Sequence, residues 1–280
     1  MRIYPALIVA ILFCVLVVDL GSTIVTTWEY LTSAQTFKFL LKNSTLFFGL
    51  EYDLPGVFAS NLWKRAVNGS LWTLPYEVKM YAILVCILYA IGCIQTRFSI
   101  IRSPKLLLLL IASSALAANI TNHFAPFAPI QFVHLFSMFF IGAAYFAWRD
   151  RIRLSSGIAL IAFTILLASA LNADVFFVIY GISPPYLTLF AAYVSTGTVR
   201  GFNSAGDYSY GMYIYAFPVQ QSIAAIVPGI SVAGMIAAAF TTTFIFAVLS
   251  WHLIEKRCLK LKRSSDTMAR LTRSLRFGTR

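Results

Sequence analysis

The sequence predicts an all-α integral membrane protein, a polytopic bundle of about eight transmembrane helices, each needing about 20 mostly apolar residues. Of its 280 residues, 59% are hydrophobic and only 11% are charged, and the mean hydropathy is +0.79. Soluble domains contain about 45–50% apolar and about 25% charged residues. The composition therefore excludes disordered and secreted disulfide-rich proteins, and it indicates that much of the surface faces lipid.

Eight apolar segments carry this prediction. The fifth is short, and Pro184 and Pro185 must kink or split the sixth, because proline removes a backbone donor. The long segment between the first two spans, from Thr27 to Ser70, is predicted to be a loop outside the membrane. The predicted spans cover approximately residues 4–26, 71–94, 105–121, 130–148, 156–171, 175–197, 207–227 and 232–254.

The basic residues predict the orientation. With the N-terminus in the cytoplasm, 17 of the 22 lysines and arginines fall in inside segments and four fall outside, as the positive-inside rule requires. We therefore expect a multi-pass protein of the cell (inner) membrane with both termini cytoplasmic. Residues 1–256 are predicted to form the transmembrane domain, and residues 257–280 a basic cytoplasmic tail that contacts anionic membrane lipid. The basic clusters lie between apolar runs, so no nucleic-acid partner is predicted.

The first motif, residues 68–78, reads NGSLWTLPYEV. Pro75 is tolerated near a helix start, which places Glu77 about one turn into the second span. One interpretation is a first-turn carboxylate favoured by the helix dipole, with Trp72 and Tyr76 at the membrane interface. The other is a carboxylate that faces a cavity, as ionisable groups within spans usually do. The second interpretation is favoured because Thr73, Glu77 and Tyr81 fall on one helical face and form a polar stripe.

The second motif, residues 206–218, reads GDYSYGMYIYAFP. Asp207 is predicted to cap the helix, and Pro218 frees the carbonyl of Ile214 inside the span. Its tyrosine hydroxyls need partners or water, so aromatic packing between helices and a polar site both stay open. The tyrosines concerned are Tyr208, Tyr210, Tyr213 and Tyr215.

The histidines are candidate bases. His252 and Glu255 lie three residues apart at the end of the last span, where a snorkelling, salt-bridged helix end is the simpler interpretation. His134 lies within the fourth span and is expected to bond to a neighbouring helix, whereas His123 lies in an outside turn. Either becomes a general base if a carboxylate orients it. The sequence shows no Cys/His spacing typical of zinc, so no metal is predicted.

Residues 70–78 resemble the SLWTLPxE signature of the membrane acyltransferase 3 family, and residues 206–213 resemble its (G)DxSYGxY motif. Glu255 resembles the glutamate that closes the last span of the family. Arg2 and the residues after it resemble the start of the family's third span. The resemblance extends over essentially the whole chain as far as Glu255.

The resemblance implies an integral membrane O-acyltransferase that moves an acyl group, commonly acetyl, from cytoplasmic acyl-CoA to a hydroxyl of a cell-surface or lipid-linked glycan. Acyl-CoA is then a donor substrate, and no cofactor is expected. Glu77 is the first catalytic candidate, with His134 and His123 as further ones. The predicted substrate-binding residues are Arg2, Trp72, Tyr76, Asp207, Tyr210, Tyr213 and Glu255.

The chain begins where the third span of the family begins. The first two spans, and the histidine regarded as catalytic in the family, are therefore expected upstream of Met1, and we expect no acyl transfer by the 280-residue chain alone. Two other functions stay open. The chain is a non-catalytic remnant of such an enzyme, or it is a multi-pass transporter or flippase, which kinked helices and buried polar residues would suit.

Overall fold

The computed structural model describes residues 3–18, 23–62, 65–98, 104–194 and 206–261. Within these ranges the secondary structure is helical, and no β-strand occurs there. The helices are α1 (Ile3–Phe13, continued by a π-helical turn, Cys14–Val18), α2 (Thr27–Thr32), α3 (Ala34–Thr45), a 3-10 helix (Gly69–Thr73), α4 (Leu74–Phe98), α5 (Pro104–Phe124), α6 (Ile130–Ala147), α7 (Ser156–Ser169), α8 (Ala173–Val194), α9 (Ser209–Ile226) and α10 (Val232–Ser250, continued by a π-helical turn, Trp251–Glu255).

The prediction of an all-α membrane helix bundle is confirmed. Each of the eight predicted spans contains a helix, and among the described residues five helices are long and apolar enough to cross a membrane. Two further apolar helices, at the first and fifth predicted spans, are shorter. The five long segments are Gly69–Cys93, Pro104–Phe124, Ile130–Ala147, Ala173–Val194 and Val232–Leu261.

Two predicted elements differ from the structure. The first span was expected to reach residue 26, but residues 23–26, directly before α2, are not helical. The Thr23 hydroxyl donates to the carbonyl of Pro55 (2.8 Å), and the Thr26 hydroxyl caps α2 by accepting from the Glu29 amide (3.3 Å). Threonine side chains compete here with the helical backbone bonds. Of the two outcomes predicted for the sixth span, a kink or a split, the split does not occur, because α8 continues through Pro184 and Pro185.

The predicted outside loop contains two helices, α2 and α3, that the apolar pattern does not reveal. The Ser33 hydroxyl caps α3 by accepting from the Gln35 amide (3.1 Å). The Asn43 side chain then exchanges two hydrogen bonds with the backbone of Glu51, at 2.8 and 3.0 Å. Lys42 forms a salt bridge with the same glutamate (3.0 Å). These bonds give the segment a defined structure although its amino acids are less apolar than those of the spans.

The chain divides into two compact units, residues 1–75 with 203–280 (unit 1) and residues 76–202 (unit 2). In unit 1, α9 and α10 form a helical hairpin, and α1 packs against α3 and α9. The hairpin depends on Gly211, where a Cβ atom would lie only 2.7 Å from the Cα of Ala247. The last helix of the unit ends at Leu261, and residues 262–280 of the predicted tail lie outside the described residues.

Unit 2 contains α4 from Tyr76 onward and two helical hairpins, α5–α6 and α7–α8. Helix α8 also packs against both α5 and α6. An apolar core joins α4, α5 and α6, and it is formed by Met80, Ala112, Phe140, Ile141 and Ala144. This packing leaves the face of α6 that carries His134 directed toward α8, as the ring contacts described below show.

Candidate functional site

In unit 1 the two sequence motifs meet through hydrogen bonds. The Asn68 amide group donates to the carbonyl of Ile214 (2.8 Å), which is the carbonyl that Pro218 deprives of its helical donor. The Thr73 and Tyr213 hydroxyls are 2.7 Å apart, and Tyr213 also donates to the carbonyl of Ser70. The first motif therefore provides hydrogen-bond partners for the second, although Asn68 and Ile214 are 146 residues apart in the sequence.

A second pair of amide side chains extends this contact. Asn61 donates to the carbonyl of Gln221 (2.9 Å) and to its side-chain oxygen (3.1 Å), and Gln221 donates to the carbonyl of Ala66 (2.7 Å). Both amides are buried. The sequence analysis missed them, although a glutamine three residues after a proline in an apolar helix was a usable signal. We call this set the motif network: Asn61, Asn68, Thr73, Tyr213 and Gln221.

The other predicted binding residues of unit 1 have separate partners. The Tyr210 hydroxyl donates to the carbonyl of Ile3 (3.0 Å). The Asp207 carboxylate accepts from the Ser209 hydroxyl (2.6 Å) and amide (3.3 Å), but the N-cap residue of α9 is Tyr208, so the prediction that Asp207 caps the helix is wrong. The Trp72 side chain is 43% exposed. Arg2 lies outside the described residues.

Glu255 is buried, with only 1% of its surface exposed, and it accepts a hydrogen bond from the Ser250 hydroxyl (3.0 Å). The interpretation of Glu255 as a snorkelling residue is therefore wrong. His252 is exposed and lies 3.4 Å from the Tyr208 hydroxyl. The helix takes a π-helical turn over Trp251–Glu255, so two residues three apart no longer share a face as they do in an α-helix.

Unit 2 contains a histidine–carboxylate pair that the sequence did not reveal. His123, in the last turn of α5, places its Nε2 atom 2.8 Å from a carboxylate oxygen of Asp174, in the first turn of α8. The His123 ring stacks on Phe177 at a centroid distance of 4.0 Å, which fixes its plane. The two side chains are 30% and 64% exposed, so the pair is open to solvent or to a ligand. The sequence signal that could have found this pair was Asp174, an acidic residue directly before the sixth predicted span.

His134 lies beside the same aromatic ring. Its centroid is 6.4 Å from that of Phe177 and 6.5 Å from that of Tyr180. Its Nδ1 atom is buried, and no described residue provides a hydrogen-bond partner for it. The predicted bond of His134 to a neighbouring helix is therefore not made by Nδ1 within the described part of the chain. The structure instead brings both His123 and His134 close to the ring of Phe177.

The structure does not bring Glu77 to the histidines. The ring of Tyr76 packs on Phe132 (6.4 Å) and that of Tyr81 on Phe139 (5.3 Å), so this part of α4 lies along the phenylalanine face of α6. His134 projects from the opposite face of α6 at 100° per residue. Glu77 is partly buried and interacts with the Tyr81 hydroxyl one turn further along α4. Tyr81 itself is 49% exposed, so the predicted polar stripe does not end in a buried site.

A cavity of about 790 Å³ lies between α6 and α8 of unit 2, and it is open on one side, since Phe146 and Tyr193 in its lining are both 69% exposed. Its wall is largely aromatic and aliphatic, and it is lined by His134, Gly142, Tyr145, Arg149, Tyr180 and Pro185, among others. Small-molecule sites typically enclose about 300–1,000 Å³. The cavity is therefore large enough to hold a ligand, with one of the two histidines in its wall.

Comparison with known proteins relates the chain to a phage protein. The chain is 30% identical over 210 residues to a protein of Shigella phage Sf6 named O-acetyl transferase, and the match covers 71% of this chain. The chain is a relative of an O-acetyl transferase. It spans 59% of the length of that relative. No protein-family model and no solved structure matches the chain.

This similarity supports the coarser part of the sequence prediction, an acyltransferase of the O-acetyltransferase type. Membership of the acyltransferase 3 family stays a prediction, because no family model matches. The catalytic and substrate-binding assignments also stay predictions. The contacts of the motif network show at least one structural role for these residues, since they hold α9 against the segment before α4.

Proposed function

We propose that the chain acts in an integral membrane O-acyltransferase. In this proposal an acyl group, acetyl in the simplest case, moves from cytoplasmic acyl-CoA to a hydroxyl of a cell-surface or lipid-linked glycan. The observation that carries the proposal is the similarity to an O-acetyl transferase over 71% of the chain. The five long apolar helices support a location in a membrane, and we propose the cell inner membrane with both termini in the cytoplasm.

The reaction needs a general base and a site that holds the thioester of the acyl donor in place. The acceptor hydroxyl oxygen forms a bond to the thioester carbonyl carbon, and the bond between that carbon and the CoA sulfur breaks. The base takes the hydroxyl proton and then gives it to the departing thiolate. General bases of this kind contribute about 10²–10⁴-fold in rate, and a histidine is the usual choice.

His123 has the best geometry for the base. When its Nε2–H donates to Asp174, its Nδ1 atom carries the lone pair that accepts a proton. The carboxylate then stabilises the imidazolium that forms, and stacking on Phe177 restricts the ring to one plane. A carboxylate partner was the feature that the sequence analysis required of a catalytic histidine, and Asp174 supplies it.

The positions of His123 and Asp174 at the ends of two helices explain their pairing equally well without any catalytic role. A cation is favoured at the C-terminus of α5 and an anion at the N-terminus of α8, so a purely structural ion pair would suit these positions. The two interpretations differ in what happens when Asp174 loses its charge. A structural pair affects only stability, whereas a base–orienter pair affects the rate in protein that is folded and present in normal amounts.

The test is incorporation of labelled acetyl into surface glycan in a bacterial host that lacks its own O-acetylation. The 280-residue chain and a form extended upstream by two spans are expressed in parallel. We expect His123→Ala and Asp174→Asn to lower the rate by at least about tenfold at equal membrane abundance.

The control is His252→Ala, which removes an exposed histidine in unit 1. It should leave the rate unchanged. Absence of transfer from both forms, with the protein present in the membrane, would overturn the proposed function. Normal transfer by His123→Ala would leave the function standing and remove His123 from the mechanism.

A further inference from the structure

The cavity between α6 and α8 has different chemistry at its two ends. His134 and Arg149 both line it, and they lie 15 positions apart on the same side of α6 and the turn after it. At about 1.5 Å per residue, this separation corresponds to about 22 Å along the helix axis. One end of the cavity therefore carries an imidazole and the other end a guanidinium group.

The guanidinium end is suited to an anion. The Arg149 side chain is 59% exposed, and its guanidinium carbon lies 4.5 Å from the centre of the Phe146 ring. One of its terminal nitrogens donates to the carbonyl of Phe146 (3.0 Å), and its Nε lies 3.9 Å from Asp150. These contacts position the group at the cavity wall and leave donors for a phosphate, which arginine binds in a forked geometry.

The middle and the far end of the cavity are also lined by residues with polar groups. Pro184 lines the cavity, and because it lacks an N–H group, the carbonyl of Tyr180, another lining residue, has no helical donor four residues ahead. The Nδ1 atom of His134 is buried and has no hydrogen-bond partner among the described residues. Another part of the His134 ring lines the cavity, so the imidazole stands at its far end.

We infer that this cavity binds the acyl-phosphopantetheine arm of the acyl donor, with its phosphate at Arg149 and its thioester at His134. This inference rests on the proposed function. About 14 bonds separate the phosphorus from the acyl carbon, and an extended chain of such bonds spans about 18 Å. The arm therefore matches the distance between the two ends of the cavity.

The arm also matches the wall chemically. One of its amide N–H groups can donate to the carbonyl of Tyr180, and its thioester oxygen can accept from the imidazole of His134. The acyl chain of a membrane lipid has no such groups and would leave these atoms without partners. The far end of the cavity adjoins Phe177, on which His123 stacks. A thioester there would lie next to the proposed base.

Gly142 allows the cavity to be filled without distorting the helix. A Cβ atom at Gly142 meets no other atom within 4 Å, and the residue lines the cavity about half-way between its ends. Gly142→Leu therefore places a bulky side chain in the path of the arm. Gly92 provides the matched control, because a Cβ atom there also meets nothing and the residue lies on α4, away from the cavity lining.

The experiment measures binding of labelled acetyl-CoA to the purified full chain in phosphatidylcholine nanodiscs, so it does not require turnover. We expect the wild type and Gly92→Leu to bind equally, and Gly142→Leu to bind at least about tenfold more weakly. Arg149→Gln should also weaken binding. Adenosine 3′,5′-bisphosphate, which has the nucleotide but no arm, should show no difference between Gly142→Leu and Gly92→Leu.

Equal acetyl-CoA binding by Gly142→Leu and Gly92→Leu would overturn the inference while leaving the proposed function standing, since the donor would then bind elsewhere. Phosphatidylcholine that co-purifies with the wild type, is lost in Gly142→Leu and is not displaced by acetyl-CoA would show a lipid site instead. Failure of the proposed function itself is detected separately, as absence of acetyl incorporation into glycan by the upstream-extended form.

Discussion

Asn68→Ala is the perturbation for which the structure predicts the largest local effect. Asn68 is 3% exposed, and its amide group is the donor to the Ile214 carbonyl that Pro218 leaves without a helical partner. Its side-chain oxygen also accepts from the Ser70 amide (3.2 Å). Loss of one buried bond, with the carbonyl left unpaired, costs about 1–3 kcal/mol, and the second bond adds about 1 kcal/mol. We therefore expect the free energy of unfolding to fall by about 2–4 kcal/mol.

A double-mutant cycle tests the mechanism as well as the size of the effect. Pro218→Ala restores an N–H group to position 218, four residues after Ile214, so that the helix can satisfy this carbonyl itself. In that background Asn68→Ala should cost less, with an interaction energy of about 1–2 kcal/mol between the two sites. Asn68→Asp keeps an acceptor for Ser70 but removes the donor to Ile214. It should therefore show the same interaction energy with Pro218→Ala as Asn68→Ala does.

The assay is equilibrium unfolding by sodium dodecyl sulfate in mixed micelles, followed by tryptophan fluorescence. Asn119→Ala is the control, because Asn119 is equally buried, in unit 2, and its side-chain nitrogen has no partner among the described residues. It should cost clearly less than Asn68→Ala. An equal cost of Asn68→Ala in the wild type and in Pro218→Ala would refute the argument that the asparagine serves the carbonyl freed by proline.

Three further predictions concern packing, catalysis and orientation. Gly211→Val should lower the free energy of unfolding by at least about 1–3 kcal/mol, because its side chain would overlap Ala247, and the same unfolding assay measures it. Glu77→Gln in the transfer-competent form should lower acetyl incorporation by at least about tenfold at normal abundance; an unchanged rate would assign Glu77 to capping alone. Cysteines introduced at Ser60 and Ser265 should be labelled by an impermeant reagent in whole cells at Ser60 only, and the reverse pattern would invert the proposed orientation.

Much of the fold was predictable because its signals are local. A run of apolar residues predicts a helix in lipid wherever it occurs, since every backbone group must be satisfied within the segment. Pro75 near a helix start acts within one turn of itself, and its position agrees with the structure, whereas Asp207 lies one residue before the N-cap of α9. The helices α2 and α3 were missed because their stability comes from capping and from the bonds of Asn43, which no apolar pattern records.

The candidate site was only partly predictable because its contacts are distant in sequence. The sequence determined that Pro218 frees the Ile214 carbonyl and that a useful histidine needs a carboxylate, because both follow from the chemistry of single residues. Only the tertiary structure decided that Asn68 bonds to this carbonyl, 146 residues away, and that Asp174 pairs with His123, 51 residues away. A hydrogen bond depends on a separation of about 3 Å in space, and helix packing, rather than any local pattern, sets which side chains reach that distance.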